Sequence, residues 1–130
     1  MTLRLFFASI VLILGLSSAV SSLAHHSQSE FDFRTTVEVE GTVTRLEWKS
    51  PHAWLYVDVV GAAGEVVAWE FELPSPTTLM RRGWTRKSLA PGDVVSVTGA
   101  PARNHPGIAI ARTVRDADGN GVFTGITDVN

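Results

Sequence analysis

The four histidines of the chain are the residues best suited to chemistry, and none falls inside a strand predicted from the sequence. His25 becomes the first residue of the mature protein if an export signal is cut before it, and a terminal histidine chelates a metal through its α-amine and its imidazole. Nitrogen ligands of this kind favour Cu(II) over Zn(II) and Ni(II). We therefore predict a metal site with His25, His26, His52 and His105 as candidate ligands, His25 and His52 being the best placed. The alternative is that His52 caps a strand start after Pro51 and that His105 is a solvated loop residue.

The amino terminus has the organisation of a bacterial export signal. A basic start precedes a predominantly apolar run of twelve residues at positions 5–16, and small residues follow up to Ala24. With Ser22 and Ala24 at the two recognition positions, signal peptidase cuts before His25. The apolar run is shorter than the ~20 residues that span a bilayer, which favours cleavage over an uncleaved anchor. A second acceptable cut, after Ala19, would leave five residues ahead of His25 and destroy the terminal chelate.

The predicted organisation is a signal peptide at residues 1–24, a flexible N-terminal arm at residues 25–35 and one domain at residues 36–130. Cleavage removes only Arg4 from the 11 basic residues and leaves all 13 acidic ones. A mildly acidic chain without a basic face is a poor binder of nucleic acid. The absence of cysteine excludes disulfides and a lipid anchor on an N-terminal cysteine. We expect a periplasmic protein without a stable membrane anchor after cleavage, and the sequence leaves its oligomeric state open.

Alternating apolar and polar residues in the domain are typical of half-buried strands. Five strands are predicted, at residues 37–46, 54–60, 66–73, 94–99 and 108–115. The first contains Gly41 and changes its apolar phase by one residue at Leu46 and Trp48, which predicts a bend at a glycine or a bulge.

A single short helix is predicted at residues 76–82. Ser75 is a good N-cap and Pro76 suits the first helical position. Gly83 is placed to end the helix, and Leu79, Met80 and Trp84 would form its apolar side. Five strands with a helix between the third and fourth is the order of the OB-fold. The sequence therefore predicts an all-β fold with one short helix, a five-stranded OB-fold-like Greek-key barrel.

The second and third predicted strands place aromatic and acidic residues on one outward face. Trp69 and Phe71 are predicted to be buried inside the barrel. The outward residues are Trp54, Tyr56, Asp58, Glu70 and Glu72. Aromatic planes beside carboxylates suit a sugar, a cationic peptide or an amine, whereas carboxylates repel nucleic acid. The alternative is that this face packs on a tail or on a partner chain.

Residues 116–121 resemble the start of a calcium loop, but the twelfth position is Thr127, where a bidentate glutamate is needed. An Asp-Gly turn leading into a short final strand is the favoured interpretation. The chain has no cysteine nucleophile, no Gly-x-Ser-x-Gly turn, no glycine-rich phosphate loop before its helix and no His-Glu-x-x-His motif. The sequence therefore predicts a protein that is not an enzyme.

Several short motifs recur in an order that resembles one family of small exported bacterial proteins. They are His25-His26-Ser27, Gly41-Thr42-Val43 with Trp48, Ser50-Pro51-His52, Trp69-Glu70-Phe71-Glu72, Arg82-Gly83-Trp84, Pro91-Gly92-Asp93 and Pro101-Ala102-Arg103-Asn104. The chain resembles the proteins known as domain of unknown function 6152 over nearly all of its mature length. It departs from them at Ser50, where asparagine is expected, and at His105, where glycine is usual. The resemblance implies export and a shared fold, and it brings no established activity.

These observations favour a non-enzymatic exported binding module with a transition metal such as Cu(II) as its leading ligand. A glycan or peptide binder of the cell envelope, using the aromatic and acidic face, is the alternative. A structural or oligomerising envelope protein is a third class that the sequence leaves open.

Overall fold

The computed structural model describes residues 29–125. The elements, in chain order, are β1 (Val37–Glu47), β2 (Trp54–Val60), β3 (Val66–Glu72), α1 (Pro76–Arg81), β4 (Val94–Pro101), β5 (Ile108–Asp116) and β6 (Gly121–Thr124). The predicted signal peptide, both cut sites, His25 and His26 lie outside the described residues. Within residues 29–125, no helix has the length and apolar character needed to cross a membrane.

The strands form one sheet with the order β3-β2-β1-β4-β5-β6, and this sheet closes on itself. Closure comes from parallel pairing of residues 70–72 of β3 with residues 108–110 of β5. All other neighbouring strands are antiparallel. The predicted OB-fold-like barrel of five strands is therefore confirmed, with the helix between β3 and β4, and β6 adds a short antiparallel strand to β5.

β1 contains a bulge at Thr44. The pairing of β1 with β2 is regular at Val43 and resumes at Arg45, so that Thr44 is the extra residue on the bulged strand. Val43 is buried in the barrel, and beyond the bulge Leu46 packs against the core. Of the two causes predicted for the phase change, a glycine or a bulge, the strand pairing shows the bulge. Because one residue is added, Arg45 and Glu47 lie opposite Tyr56 and Trp54 of β2.

The barrel interior is filled by aliphatic and aromatic side chains from every strand. The buried members of the main cluster are Val43, Ala53, Leu55, Val57, Phe71, Leu73, Leu79, Trp84, Leu89, Val95, Val97, Ala109, Ala111, Val114 and Phe123. Phe71 is buried as predicted, but Trp69 is only half-buried. Because β3 meets β5 from Glu70 onward, Trp69 lies at the end of the closed barrel, stacked on Phe71 with 5.6 Å between ring centroids.

α1 packs on the barrel core through Leu79 and is held by the interactions expected from its sequence. The Ser75 hydroxyl accepts a hydrogen bond from the Thr78 amide at 3.3 Å. Leu79 and Trp84 are buried, and the Trp84 indole N–H donates to the Val122 carbonyl of β6. The prediction for Met80 was wrong, since this side chain is 56% exposed. A helix of six residues buries one narrow stripe, and Leu79 occupies it.

The chain contacts the barrel before β1 begins. Phe31 is buried and forms an isolated bridge with Ala102, and the Asp32 amide donates to the Pro101 carbonyl at 2.8 Å. The Arg112 guanidinium donates to the Phe33 carbonyl at 2.6 Å. Phe31 and Asp32 thus contact the end of β4, and Phe33 is hydrogen-bonded to the middle of β5.

Candidate functional site

The five predicted face residues lie together on the outer surface of β2 and β3. Trp54 is opposite Glu72, and Tyr56 is opposite Glu70, while Asp58 is opposite Ala68. All five are half-buried, and in β2 they alternate with the buried Leu55 and Val57. The bulged end of β1 adds two charged residues that the sequence pattern does not place on this surface. We call the set the outward β1–β3 face: Arg45, Glu47, Trp54, Tyr56, Asp58, Glu70 and Glu72.

Tyr56 is fixed in position by two residues of β1. The Arg45 guanidinium lies over its ring, 3.9 Å from the ring centroid. The phenol donates a hydrogen bond to Glu47 Oε2 at 3.1 Å. Glu47 also pairs with the Lys49 ammonium at 3.2 Å, and these donors, Lys49 first, hold the pKa of the Glu47 carboxyl below its usual value. One cation and one carboxylate from β1 thus orient the aromatic residue at the centre of the face.

His52 lies just before β2, in the β1–β2 loop, and leans on the end of β3. Its Nδ1 atom is 3.1 Å from Glu72 Oε1 and 3.3 Å from the Leu73 carbonyl oxygen. Because both neighbours are acceptors, the neutral ring carries its proton on Nδ1, which leaves a lone pair on Nε2. The side chain is 44% exposed. A carboxylate or carbonyl on one ring nitrogen is the usual arrangement of a metal-ligating histidine.

His105 lies at the other end of β3. It is exposed in the loop between β4 and β5, where the Gly107 carbonyl accepts a hydrogen bond from the Glu70 amide at 2.8 Å. A Cβ at Gly107 would lie 3.0 Å from the Ala68 carbonyl oxygen, so this loop meets the first half of β3. From Ala68 to Leu73, where His52 lies, the strand rises about 16 Å. The structure therefore does not bring His52 and His105 together.

Metal ligands are not grouped in the part of the chain that the structure describes. Among residues 29–125, no group of three or more histidine, cysteine, aspartate or glutamate side chains is placed to hold a metal ion. The other two candidate ligands, His25 and His26, lie outside these residues. His52 with Glu72 is the pair in which an imidazole and a carboxylate are in direct contact.

The carboxylates of the outward face differ in their partners. Glu47 is paired with Lys49, and Glu72 is in contact with His52. Asp58 and Glu70 are half-buried, and their side chains form no ion pair or hydrogen bond with any residue in the 29–125 range. They are diagonal neighbours across β2 and β3, which places their Cβ atoms roughly 6–7 Å apart. The face therefore has two adjacent carboxylates that the described chain does not neutralise.

The calcium-like segment forms a turn, as favoured by the sequence. Asp116 Oδ1 accepts hydrogen bonds from the amides of Asp118 and Asn120, and Oδ2 accepts one from the Asn120 side chain at 3.0 Å. These donors, the Asn120 side chain first, hold the Asp116 pKa below its usual value. The carboxylate is used to close the turn into β6, the predicted short final strand.

The comparisons with known proteins decide the family. The model of a family of unknown function, DUF6152, matches residues 14–110. The chain belongs to this family. No curated protein matches it, and no solved structure does. The DUF6152 match covers β1 to β4, the helix and both loops that carry His52 and His105.

Proposed function

We propose that this DUF6152 protein is an exported binding module without catalytic activity, and that its ligand binds the outward β1–β3 face. One observation carries the proposal: Trp54 and Tyr56 of β2 are in register with Glu72 and Glu70 on the outer side of the neighbouring strand β3. In OB-type barrels, the surface of the second and third strands is where oligonucleotides and oligosaccharides bind. An ordered aromatic and polar face at this position is therefore best explained by ligand binding.

The chemistry of the face favours an envelope glycan or peptide over nucleic acid. Nucleic-acid faces of this fold combine aromatic residues with a positively charged groove. Here the aromatic residues are surrounded by Glu47, Asp58, Glu70 and Glu72, with Arg45 as the cation in their midst. A sugar or a peptide can stack on the Trp54 ring while the carboxylates accept hydrogen bonds from its hydroxyl or amine groups.

The test is Trp54→Ala in the mature chain, with Phe33→Ala as the matched control. Phe33 is 47% exposed and lies outside the face, so its loss removes a surface aromatic ring without touching the site. Against arrays of envelope glycans and of peptides, we expect Trp54→Ala to weaken binding of any retained ligand about tenfold. Phe33→Ala should bind like the parent. Equal binding by both variants would refute the face as the site.

Binding of Cu(II) is a second candidate function, favoured by the sequence around the expected cleavage site. A chain starting at His25 offers an α-amine and an imidazole on one residue. Among the described histidines, His52 is the best suited to a metal, because Glu72 and Leu73 hold Nδ1 and leave Nε2 available. Both nitrogen types must be deprotonated to bind, so affinity should fall as the pH is lowered from 7 to 5.

The copper proposal has its own test. We expect the intact mass of the exported protein to match residues 25–130. A mass that matches a start at Val20 would mean that five residues precede His25, which removes the terminal chelate. Placing one alanine ahead of His25 keeps every side chain but separates the amine from the imidazole, and it should weaken Cu(II) binding by more than about tenfold. His52→Ala should weaken it less. Trp54→Ala should leave it unchanged, which separates copper binding from the ligand on the face. An added alanine without effect would refute the terminal chelate.

A further inference from the structure

The protein supplies its own basic partners to most of the outward β1–β3 face. Arg45 lies over the Tyr56 ring, and Lys49 pairs with Glu47. His52 contacts Glu72. Tyr56, Glu47 and Glu72 are thus each in contact with a basic side chain of the same protein. These three basic side chains come from β1 and the β1–β2 loop, and each lies against an acidic or aromatic group of the face.

Asp58 and Glu70 are the exception to this pattern. No side chain in residues 29–125 neutralises either carboxylate, although both are half-buried. Glu70 of β3 is opposite Tyr56, and Asp58 follows Tyr56 by two residues in β2. The two carboxylates therefore flank the Tyr56 ring. Because partly buried charges are stabilised by a partner, the pair provides a place for a cation that the described chain does not contain.

The geometry points to a ligand group of one chemical class. We infer that the ligand carries a protonated amine, which binds between Asp58 and Glu70. This inference rests on the proposed function of the face. An ammonium group has three N–H donors and can bond two carboxylates while it lies near an aromatic ring. A divalent metal ion requires more oxygen ligands, and no group of three acidic or histidine side chains is assembled within the described chain.

Arg45 is then a residue that determines specificity. Its guanidinium sits on the ring that the two carboxylates flank, so it repels an incoming cation and competes with it for the Tyr56 ring. Replacing it by glutamine removes the charge and keeps a polar side chain of similar reach. An amine ligand should therefore bind more tightly to Arg45→Gln, whereas an anionic ligand would bind less tightly, and a neutral one would be little affected.

The primary experiment compares two ligands on the unmodified mature protein. A short lysine-containing peptide carries the ammonium group at neutral pH, and its Nε-acetylated form lacks the charge. By calorimetry we expect the charged peptide to bind at least about tenfold more tightly than the acetylated one. The same comparison is then made between a glucosamine oligomer and its N-acetylated form. Whichever charged probe binds more tightly, the peptide or the sugar, identifies the source of the amine.

Variants then locate the amine. Asp58→Asn and Glu70→Gln preserve shape and should each weaken binding of the charged probe about tenfold, while Arg45→Gln strengthens it several-fold. Glu38→Gln, on an exposed β1 residue paired with β4, is the control and should change nothing. Equal binding of charged and acetylated probes, absence of binding by both amine probes up to about 1 mM, or weaker binding by Arg45→Gln would overturn the inference. Binding of the acetylated probes that still depends on Trp54 would refute it and leave the proposed function standing.

Discussion

Gly41 is the position where the spacing of β1 and β2 depends on a missing side chain. A Cβ there would lie 2.4 Å from the Asp58 carbonyl oxygen and 2.7 Å from Val57 Cγ1. An unstrained carbon-to-oxygen contact needs about 3.3 Å. Because the nearer atom belongs to the backbone of β2, it cannot turn away, and Gly41→Ala must push the two strands apart by nearly 1 Å.

The cost can be worked out from this overlap. Overpacking of a tight interior costs roughly 1–3 kcal/mol, and a backbone clash belongs in the upper part of this range. Alanine also lowers the entropy of the unfolded chain, which returns about 0.5–1 kcal/mol. We therefore expect the free energy of unfolding of Gly41→Ala to fall by about 1–2.5 kcal/mol. For a domain of this size, Tm should fall by about 5–15 °C.

The assay is urea unfolding followed by tryptophan fluorescence, with Gly121→Ala as the matched control. Gly121 is also in a strand, and a Cβ there meets no atom within 4 Å. Both variants gain the same unfolded-state benefit, so the difference between them isolates the clash at β2. Gly41→Ala should in addition weaken ligand binding, because it displaces Asp58. If the two free energies agree within about 0.5 kcal/mol, the close approach of β1 and β2 is refuted.

Three further predictions concern other elements. Trp84→Phe leaves the Val122 carbonyl without its indole donor and should cost about 1–3 kcal/mol in urea unfolding, whereas an unchanged midpoint would contradict that hydrogen bond. Ser75→Ala removes the helix N-cap and should cost about 1 kcal/mol, measured in the same way, and no loss would mean that the cap is not formed in solution. The Asp116 pKa is lowered in the folded state by Asn120, so its stabilisation is present above the unfolded pKa of about 3.9 and is lost as the pH falls through the folded value. Asp116→Asn should therefore show less acid-induced loss of Tm between neutral pH and about pH 3, and an identical pH profile would refute this role.

Local patterns were sufficient to predict the strands and the helix. In β2 and β3 the alternation around Leu55, Val57 and Phe71 gives the correct inward face, because a barrel buries one side of each strand. Ser75 marks the start of the helix through a side-chain hydrogen bond to the nearby Thr78 amide, which a sequence pattern records directly. Interactions between near neighbours in the chain were thus recovered.

The sequence was less informative where the geometry depends on distant contacts. The phase change in β1 was visible, but the extra residue, Thr44, could be placed only by pairing with β2, and Arg45 and Glu47 were therefore not assigned to the face. The separation of His52 and His105 depends on which end of β3 each loop meets, which follows from the closed topology. Trp69 was expected to be buried because it lies on the same face of β3 as Phe71. Its position at the end of the barrel is set by the pairing of β3 with β5, which begins at Glu70.

The short seam between β3 and β5 has a consequence for how the protein folds. Only three residue pairs close the barrel, and they join segments far apart in the chain, whereas the β2–β3 and β5–β6 hairpins are local. Local hairpins form before distant pairings repay the entropy of loop closure, so the seam is the late event in assembly. Until then, residues 70–72 of β3 are an unpaired strand edge, and such edges recruit other chains. The step that completes the barrel is therefore also the step that satisfies the backbone groups of this edge.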